Sequence, residues 1–328
     1  LGQRPRGRWV RQYRSGMSAA ATNAGKRARV FCVGVATLDQ IFRVDTIPEA
    51  PAKFGALEFI VTGGGMAANA AVAVQRLGGE AQYWGRVGDD EVGDQIVHML
   101  EREHVDVSHV FRLPGARSKT AAILVDKRGE RLICSAPAQG YPPDTSWLPL
   151  HEVKHAQAVH ADTRWKPGAT VLFNAAADAG IPSVFDADGG EAEDALAVAT
   201  LATHPVFGEA LLGRLGLGAP DEALPRVFGG RNVIAGVTLG ERGVVWFDGK
   251  ALHRMSSPHV NAIDTLAAGD TWHGALALAL AERQPLRDAI SFASDAAALK
   301  CTRFGGRVGI PTRDELITFR NAIGHTNS

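Results

Sequence analysis

Residues 264–270 read Asp-Thr-Leu-Ala-Ala-Gly-Asp and stand between a strand-like stretch and an apolar helix expected over 271–282. Small residues at Ala267, Ala268 and Gly269 allow a tight turn whose amide N–H groups converge on one space. With the positive end of the helix dipole, such a turn makes an anion hole. Asp270 stands at its mouth, where a carboxylate could take a proton from a hydroxyl while the amides hold charge on a transferred phosphoryl group. The simpler alternative is an Asp that only caps a helix. No G-x-x-x-x-G-K-[ST] occurs, which excludes a P-loop enzyme.

Two other segments mimic catalytic motifs. His151-Glu152-Val153-Lys154-His155 matches H-E-x-x-H, which on a helix would set two imidazoles on a zinc ion. It follows Pro149 and runs straight into a strand, so a surface loop is expected instead. Gly63 to Ala68 fits G-x-G-x-x-A after a strand and before a helix, the setting of a dinucleotide fingerprint. Its lead-in is not the first strand of the sheet, and glycines there equally suit close approach of a small ligand.

The elements that must position these residues come from a chain of 328 residues, 45% hydrophobic, with 35 basic and 35 acidic side chains. Eight of the basic residues and no acid fall within residues 1–29, so the remainder carries a net charge of about −8. That balance argues against nucleic acid as a partner. Three scattered cysteines, Cys32, Cys134 and Cys301, exclude a disulfide scaffold or thiolate zinc centre as organising features. No apolar run is long enough to span a bilayer, and a cytoplasmic enzyme is expected. Residues 1–28 read as a disordered basic tail, with Met17 the expected start and residues 1–16 an over-extended reading frame.

From residue 29 to 328 the pattern is one open α/β domain. Strands are expected at 29–35, 40–45, 56–61, 81–87, 156–161 and 182–186, with a hairpin over 119–126 and 131–135. Antiparallel strands are expected at 232–238, 243–247 and 251–255. Helices are expected at 67–77, 92–103, 166–179, 191–199, 209–215, 271–282, 285–303 and 313–323. Short strands near 40–62 and 112–136 could form a lid.

Several motifs in order carry a family resemblance. Gly34 and Asp39 end the first strand; Gly64-Gly65-Met66-Ala67-Ala68-Asn69 follows; Gly85 to Asp90 with Gly93 matches G-x-V-G-x-D-x-x-G. Thr238 to Gly243 is a T-L-G-x-x-G turn, Asp264–Asp270 a D-T-x-G-A-G-D signature, and residues 302–306 close the series. From Val30 to Pro311 the chain resembles the ribokinase, or phosphofructokinase-B, family of ATP-dependent carbohydrate kinases. The resemblance implies a ribokinase-like three-layer fold, with a mostly parallel central sheet and a small β lid. It implies Asp270 as catalytic base and Ala267, Ala268 and Gly269 as anion hole. Asp39, Gly64, Gly65 and Asn69 would hold sugar hydroxyls, and Thr238, Gly240 and Gly243 would line the ATP site. It further implies Mg²⁺ on the phosphates, a K⁺ on backbone oxygens near Asp264 and residues 301–306, and a homodimer through the lid. Two positions depart from the pattern. Ala267 stands where Gly is common, tolerable if its φ is negative, and the N-x-x-E motif that organises Mg²⁺ leaves only Glu209 near residues 207–210.

Within that family the chain is similar to sulfofructose kinases, through the glycine segment with GRVGDDE and residues 123–133, 161–165 and 298–311. A sulfonate is a fixed anion that wants a guanidinium or ammonium partner. Arg164 and Lys53 are the candidates, and residues 298–311 are assigned to the nucleotide and cation side. Ribose, fructose or a nucleoside are alternative acceptors. The readings from other classes are a nicotinamide-dependent oxidoreductase, resting on Gly63 to Ala68, and a catalytically silent binding protein of the kinase fold.

Overall fold

The structure, a computed structural model, describes residues 27–324. The expectations for residues 1–26, including the start at Met17, lie outside the described residues.

Chain order alternates strands and helices. The strands are β1 Arg29–Gly34, β2 Thr37–Arg43, β3 Glu58–Gly64, β4 Glu80–Gly88, β5 Phe111–Leu113, β6 Thr120–Val125 and β7 Arg131–Ala136. They continue with β8 Ala158–Asp162, β9 Ser183–Ala187, β10 His204–Gly208, β11 Ala235–Thr238, β12 Val244–Phe247 and β13 Leu252–Met255. The helices are α1 Met66–Arg76, α2 Glu91–Arg102, α3 Lys166–Ala179, α4 Ala192–Ala199, α5 Glu209–Arg214, α6 Pro220–Phe228, α7 Ala268–Ala281, α8 Leu286–Cys301 and α9 Arg313–Ala322.

Nine strands form the central sheet in the order β13-β12-β11-β10-β9-β8-β1-β4-β5. It is parallel from β11 to β5, and β12 and β13 add antiparallel at one edge. Side-chain alternation divides the core in two. Val30 and Cys32 of β1 face the cluster under α1, α7 and α8, while Phe31 and Val33 face the one under α3, α4 and α6. Apolar residues therefore run continuously along the strands, as expected of a sheet covered on both faces. Each fully buried Val, Leu, Ile or Phe contributes about 1.5–3 kcal/mol. This is the expected three-layer ribokinase-like fold.

The lid is a four-stranded sheet in the order β3-β2-β6-β7, with β2 and β6 parallel and both outer pairs antiparallel. Its inner side chains Ile41, Ala121, Ile123 and Val125 pack with Leu266 and Phe304 of the body.

Several expectations need correction. Asp39 does not end the first strand; it lies on β2, in the lid. Phe111–Leu113 pairs with β4 in the central sheet, so the lid takes only residues 120–136 of the later stretch. Strand β10 carries His204 and Pro205 beside only two large apolar residues, too short a run to show a period. Helix α6, with Pro220 in its first turn and Pro225 inside it, breaks the usual sequence rules for a helix. Helix α7 starts at Ala268, earlier than expected, which makes Gly269 and Asp270 part of its first turn.

One carboxylate joins the layers. Asp162, fully buried at the end of β8, accepts hydrogen bonds from the backbone N–H of Val35 at 2.8 Å, Ala67 at 3.0 Å and Arg164 at 2.8 Å. It thereby pins the β1–β2 crossing and the first turn of α1 to the central sheet. Asp162→Ala strands these amides, each worth about 1–3 kcal/mol when left unsatisfied. The expected loss is about 3 kcal/mol, read as a lower urea midpoint at unchanged slope.

Candidate active site

The turn before α7 is folded by Asp264, which is fully buried. Its Oδ1 accepts Leu266 N–H at 2.7 Å, and its Oδ2 accepts the N–H groups of Gly305 and Gly306, each at 2.9 Å. Ala267 follows as N-cap with φ 63°, in the left-handed region. The negative φ that would have made its methyl harmless is not what the turn adopts. A strained non-glycine residue here costs about 1–2 kcal/mol. The Ala268 N–H is taken by Thr265 O at 3.2 Å, which closes the turn; the N–H groups of Gly269 and Asp270 follow in the first turn of α7, where the helix itself supplies no acceptor and its dipole is positive.

Asp270 keeps a solvent-facing edge while protein packs densely around its carboxyl. Its Oδ2 accepts from Asn69 Nδ2 at 2.7 Å. Burial pushes its pKa up to about 7; the Asn69 bond opposes the rise, and the carboxylates of Asp188, Asp162 and Asp39 add to it. A carboxylate tuned near neutrality suits a general base.

Asn69 is itself fixed. Its Oδ1 accepts from Arg307 Nε at 2.8 Å, and Arg307 Nη2 donates to Gly64 O at 2.9 Å. Arg307 is buried, with Nη1 lacking a hydrogen-bond partner beside Gly63. A Cβ on Gly63 would strike that guanidinium, and one on Gly64 would strike the Asp39 carboxylate. Gly65, the N-cap of α1 at φ 93°, lies against the Val35 carbonyl and admits no side chain. The glycine run therefore serves close packing of lid, Asp39 and Arg307. Its strand belongs to the lid and not to the parallel sheet, which removes the context of a dinucleotide fingerprint.

Asp39 is buried and accepts from Thr37 Oγ1 at 2.6 Å. Burial raises its pKa, and the Thr37 bond and the charges of Arg307 and Lys119 oppose the rise. Lys119, half-buried at the start of β6, lies within electrostatic reach of Arg164, Asp162 and Asp39. Arg164 is exposed on the 3₁₀ turn after β8, and its guanidinium fills the space that a side chain on Gly189 would need. Lys53 lies exposed on the connection between β2 and β3.

Beneath the first turn of α7, Asp186 and His273 are both buried, with His273 Nδ1 3.4 Å from Asp186 Oδ2 and 2.8 Å from Gly269 O. Burial raises the Asp186 pKa well above the usual carboxylate range and lowers His273 to about 4. His273 is therefore uncharged near neutrality.

Thr238, Gly240 and Gly243 share one turn at the end of β11, closed by Leu239 N–H to Gly243 O at 2.8 Å. Thr238 pairs with Gly208 of β10, and Gly208 lies against the Asp188 carboxylate, which connects this turn to the surroundings of Asp270. Glu209 is exposed and ion-paired with Arg242. His151 to His155 lies in a 3₁₀ helix, where positions four apart do not share a face, and Glu152 is paired with His151 at 3.1 Å.

The structure thus gathers Asp39, Gly64, Gly65, Asn69 and Asp270 around one cleft and leaves Lys53 on an exposed connection. Arg307, Lys119, Asp162 and Asp188 were missed from the sequence. Arg307 stands in the segment 298–311 assigned to the nucleotide and cation side, yet it reaches Asn69. For Asp162 and Asp188, at the carboxyl ends of β8 and β9, their place at the end of a parallel strand was the available signal.

A hydroxyl set against Asp270 would lose its proton there while the helix amides take charge on an arriving phosphoryl group, the division of labour of a phosphotransferase. Residues 27–313 match the pattern of pfkB family carbohydrate kinases. The chain is 29% identical over 288 residues to ribokinase of Schizosaccharomyces pombe, covering 77% of this chain and 85% of that one. To fructokinase of Solanum tuberosum it is 25% identical over 283 residues, covering 79% and 86%. The crystal structure of a ribokinase candidate from Agrobacterium tumefaciens superposes with a TM-score of 0.87 at 39% identity, covering 92% of this chain and 99% of that one. The chain belongs to the pfkB family of carbohydrate kinases and is an ATP-dependent sugar kinase.

Burial makes the Asp270 carboxyl bind its proton more tightly in the folded chain than in the unfolded one. Ionisation therefore erodes stability as pH rises from 3.8 toward about 7. Asp270→Asn is expected to be at least about 1 kcal/mol more stable than wild type at pH 8, the difference vanishing near pH 4, while turnover falls about 10²–10⁴-fold. Denaturant melts across pH and initial rates check both, and the wild-type kcat/KM should fall away below pH of about 7.

Proposed function

We propose that this kinase transfers the γ-phosphate of ATP to a hydroxyl of a ketose carrying a fixed anion, best 6-deoxy-6-sulfofructose, within one kinase unit spanning residues 29–328. The observation that carries the reading is the pair of cations, Arg164 and Lys119, near Asp39 and Asp162 at the cleft. Two like charges held within reach of each other repel, and a monoanion between them relieves that cost. Lys53 lies on the connection that would close over the same group.

In this reading Asp39 and the polypeptide around Gly64 and Gly65 hold the sugar hydroxyls, and Asp270 accepts the proton of the attacking one. Ala267, Ala268 and Gly269 line the anion hole, and Thr238, Gly240 and Gly243 line the nucleotide. Mg²⁺ on the phosphates would neutralise their charge. Among the described residues no three His, Cys, Asp or Glu gather to hold a metal ion. That suits an ion that arrives on ATP and keeps several waters. Glu209 is engaged by Arg242, and Asp188 is the open carboxylate on the same edge. The second reading, an uncharged ribose or fructose acceptor, is favoured by the ribokinases and fructokinase among the relatives.

The lid also favours a homodimer. One row of residues crosses all four strands: Phe59 pairs with Phe42, Phe42 with Leu124, and Leu124 with Leu132. Phe59 and Leu132 are 51% and 52% exposed, and Val61 beside them 42%. An open apolar sheet face of this kind calls for a partner. Among the described residues no helix is long and apolar enough to cross a membrane, and we place the enzyme in the cytoplasm.

ADP release should be measured with sulfofructose, fructose, fructose 6-phosphate, ribose and adenosine as acceptors. Preference for sulfofructose is expected, with kcat/KM lost about 10-fold or more in Arg164→Ala and in Lys119→Ala and ribose turnover unaffected. Better turnover of an uncharged sugar would sink the anionic reading and leave the kinase. For the lid, sedimentation should show a dimer that Phe59→Asp together with Leu132→Asp converts to monomer; a wild-type monomer at micromolar concentration refutes the interface.

A further inference from the structure

The K⁺ that the family resemblance leads one to expect on backbone oxygens near Asp264 and residues 301–306 does not fit this chain. The position is taken by a side chain. Lys300, in the last turn of α8, is completely buried, and its Nζ donates to Asp264 O at 2.8 Å and lies 3.3 Å from Asp264 Oδ2. The two loops a cation would bridge are already joined there. Ile263 N–H and Asp264 N–H both donate to Cys301 O, at 2.8 and 3.2 Å, and Asp264 Oδ2 accepts from Gly305 and Gly306. A second cation on the Asp264 carbonyl would meet the ammonium at contact distance, in a buried site where like charges repel strongly.

We infer that the Lys300 ammonium stands in for the monovalent cation, so that this kinase needs no K⁺. An ammonium carries the same single charge and takes oxygen partners at similar distances. Tethered to α8, it is present at any salt composition. Its partner, Asp264, sets the turn through Leu266 N–H, and that turn presents Ala267 to Asp270. Lys300 is thus a positioning residue: it touches neither substrate nor phosphate and acts through Asp264. The other charged or titratable groups facing it are Arg131, whose Nη1 donates to Thr265 Oγ1 at 2.5 Å, and Cys301.

The inference rests on the kinase identity but not on which sugar is phosphorylated, and its test can be read without a sugar. ADP affinity of the full chain is measured by calorimetry with tetramethylammonium or potassium as the only monovalent cation, and turnover of the best acceptor is followed in both. Wild type is expected to behave alike in the two salts. Lys300→Met, which keeps the length and removes the charge, is expected to bind ADP about 5–150-fold more weakly in tetramethylammonium, the usual range of a coupled site, and to recover in potassium or ammonium. A wild-type gain of about fivefold or more from potassium overturns the inference. So does a folded Lys300→Met that loses affinity without responding to cations, or one that loses none. If Lys300→Met folds in neither salt, the wild-type comparison decides alone. If no acceptor is turned over in either salt, the sugar reading fails while ADP binding still reports on Lys300.

Discussion

The Asn69 amide can face only one way. Its oxygen is taken by Arg307 Nε, so its NH₂ must turn to the Asp270 carboxylate. That one orientation joins helix α1, which follows the lid, to helix α7, which carries Asp270. A flipped amide would set oxygen against carboxylate and nitrogen against guanidinium, two unfavourable contacts in a dry place. A donor held on Asp270 also favours its ionised form, the one that accepts a proton. Burial and the neighbouring carboxylates raise the Asp270 pKa, and the Asn69 bond opposes that rise.

The lid is tied to the same loop. Its inner face packs Ile41 and Ile123 against Leu266, inside the Asp264–Asp270 turn, and Phe304, beside the glycines bonded to Asp264. Arg131 reaches Thr265 from β7. The strand that carries Asp39 and the turn that leads to Asp270 therefore share one small apolar cluster. A ligand that settles on Asp39, as proposed for the sugar, would act on a surface packed directly against the Asp264–Asp270 turn. Such coupling needs no long pathway, because lid and loop are neighbours in the packing.

Much of this was legible in the sequence for physical reasons. The small-residue turn before α7 announces itself because only such residues permit amides to converge, and the glycine run because bulkier residues would collide with Asp39 and Arg307. Both the parallel sheet and the two-faced core follow from continuous apolar strands. What escaped was whatever depended on a partner distant in the chain. Arg307 looks like any surface arginine until it is found buried on Asn69, 238 positions away. Lys300 ends an ordinary amphipathic helix, and nothing local says that Asp264 will meet it. Asp39 went to the wrong strand because residues 35 and 36 give no sign that the chain leaves the central sheet. Ala267 was misjudged because the hydrogen bonds of Asp264, which force the turn, are invisible in composition.

The charges around the cleft set limits on what can enter it. Asp162, Asp186, Asp188 and Asp270 crowd together, and burial first, then repulsion from Asp270, Asp188 and Asp162, pushes the Asp186 pKa well above the usual carboxylate range. An anionic sugar approaching such a group would be driven off unless cations met it first. Arg307 is turned inward, with Nε and Nη2 engaged by Asn69 and Gly64. Lys119 lies within electrostatic reach of Arg164, Asp162 and Asp39, and burial lowers its pKa. Desolvation and the Arg164 guanidinium work against that ammonium, while the Asp162 and Asp39 carboxylates favour it. An anion set between the two cations would be drawn by both, and it is on this charge arrangement that the proposed anionic acceptor rests.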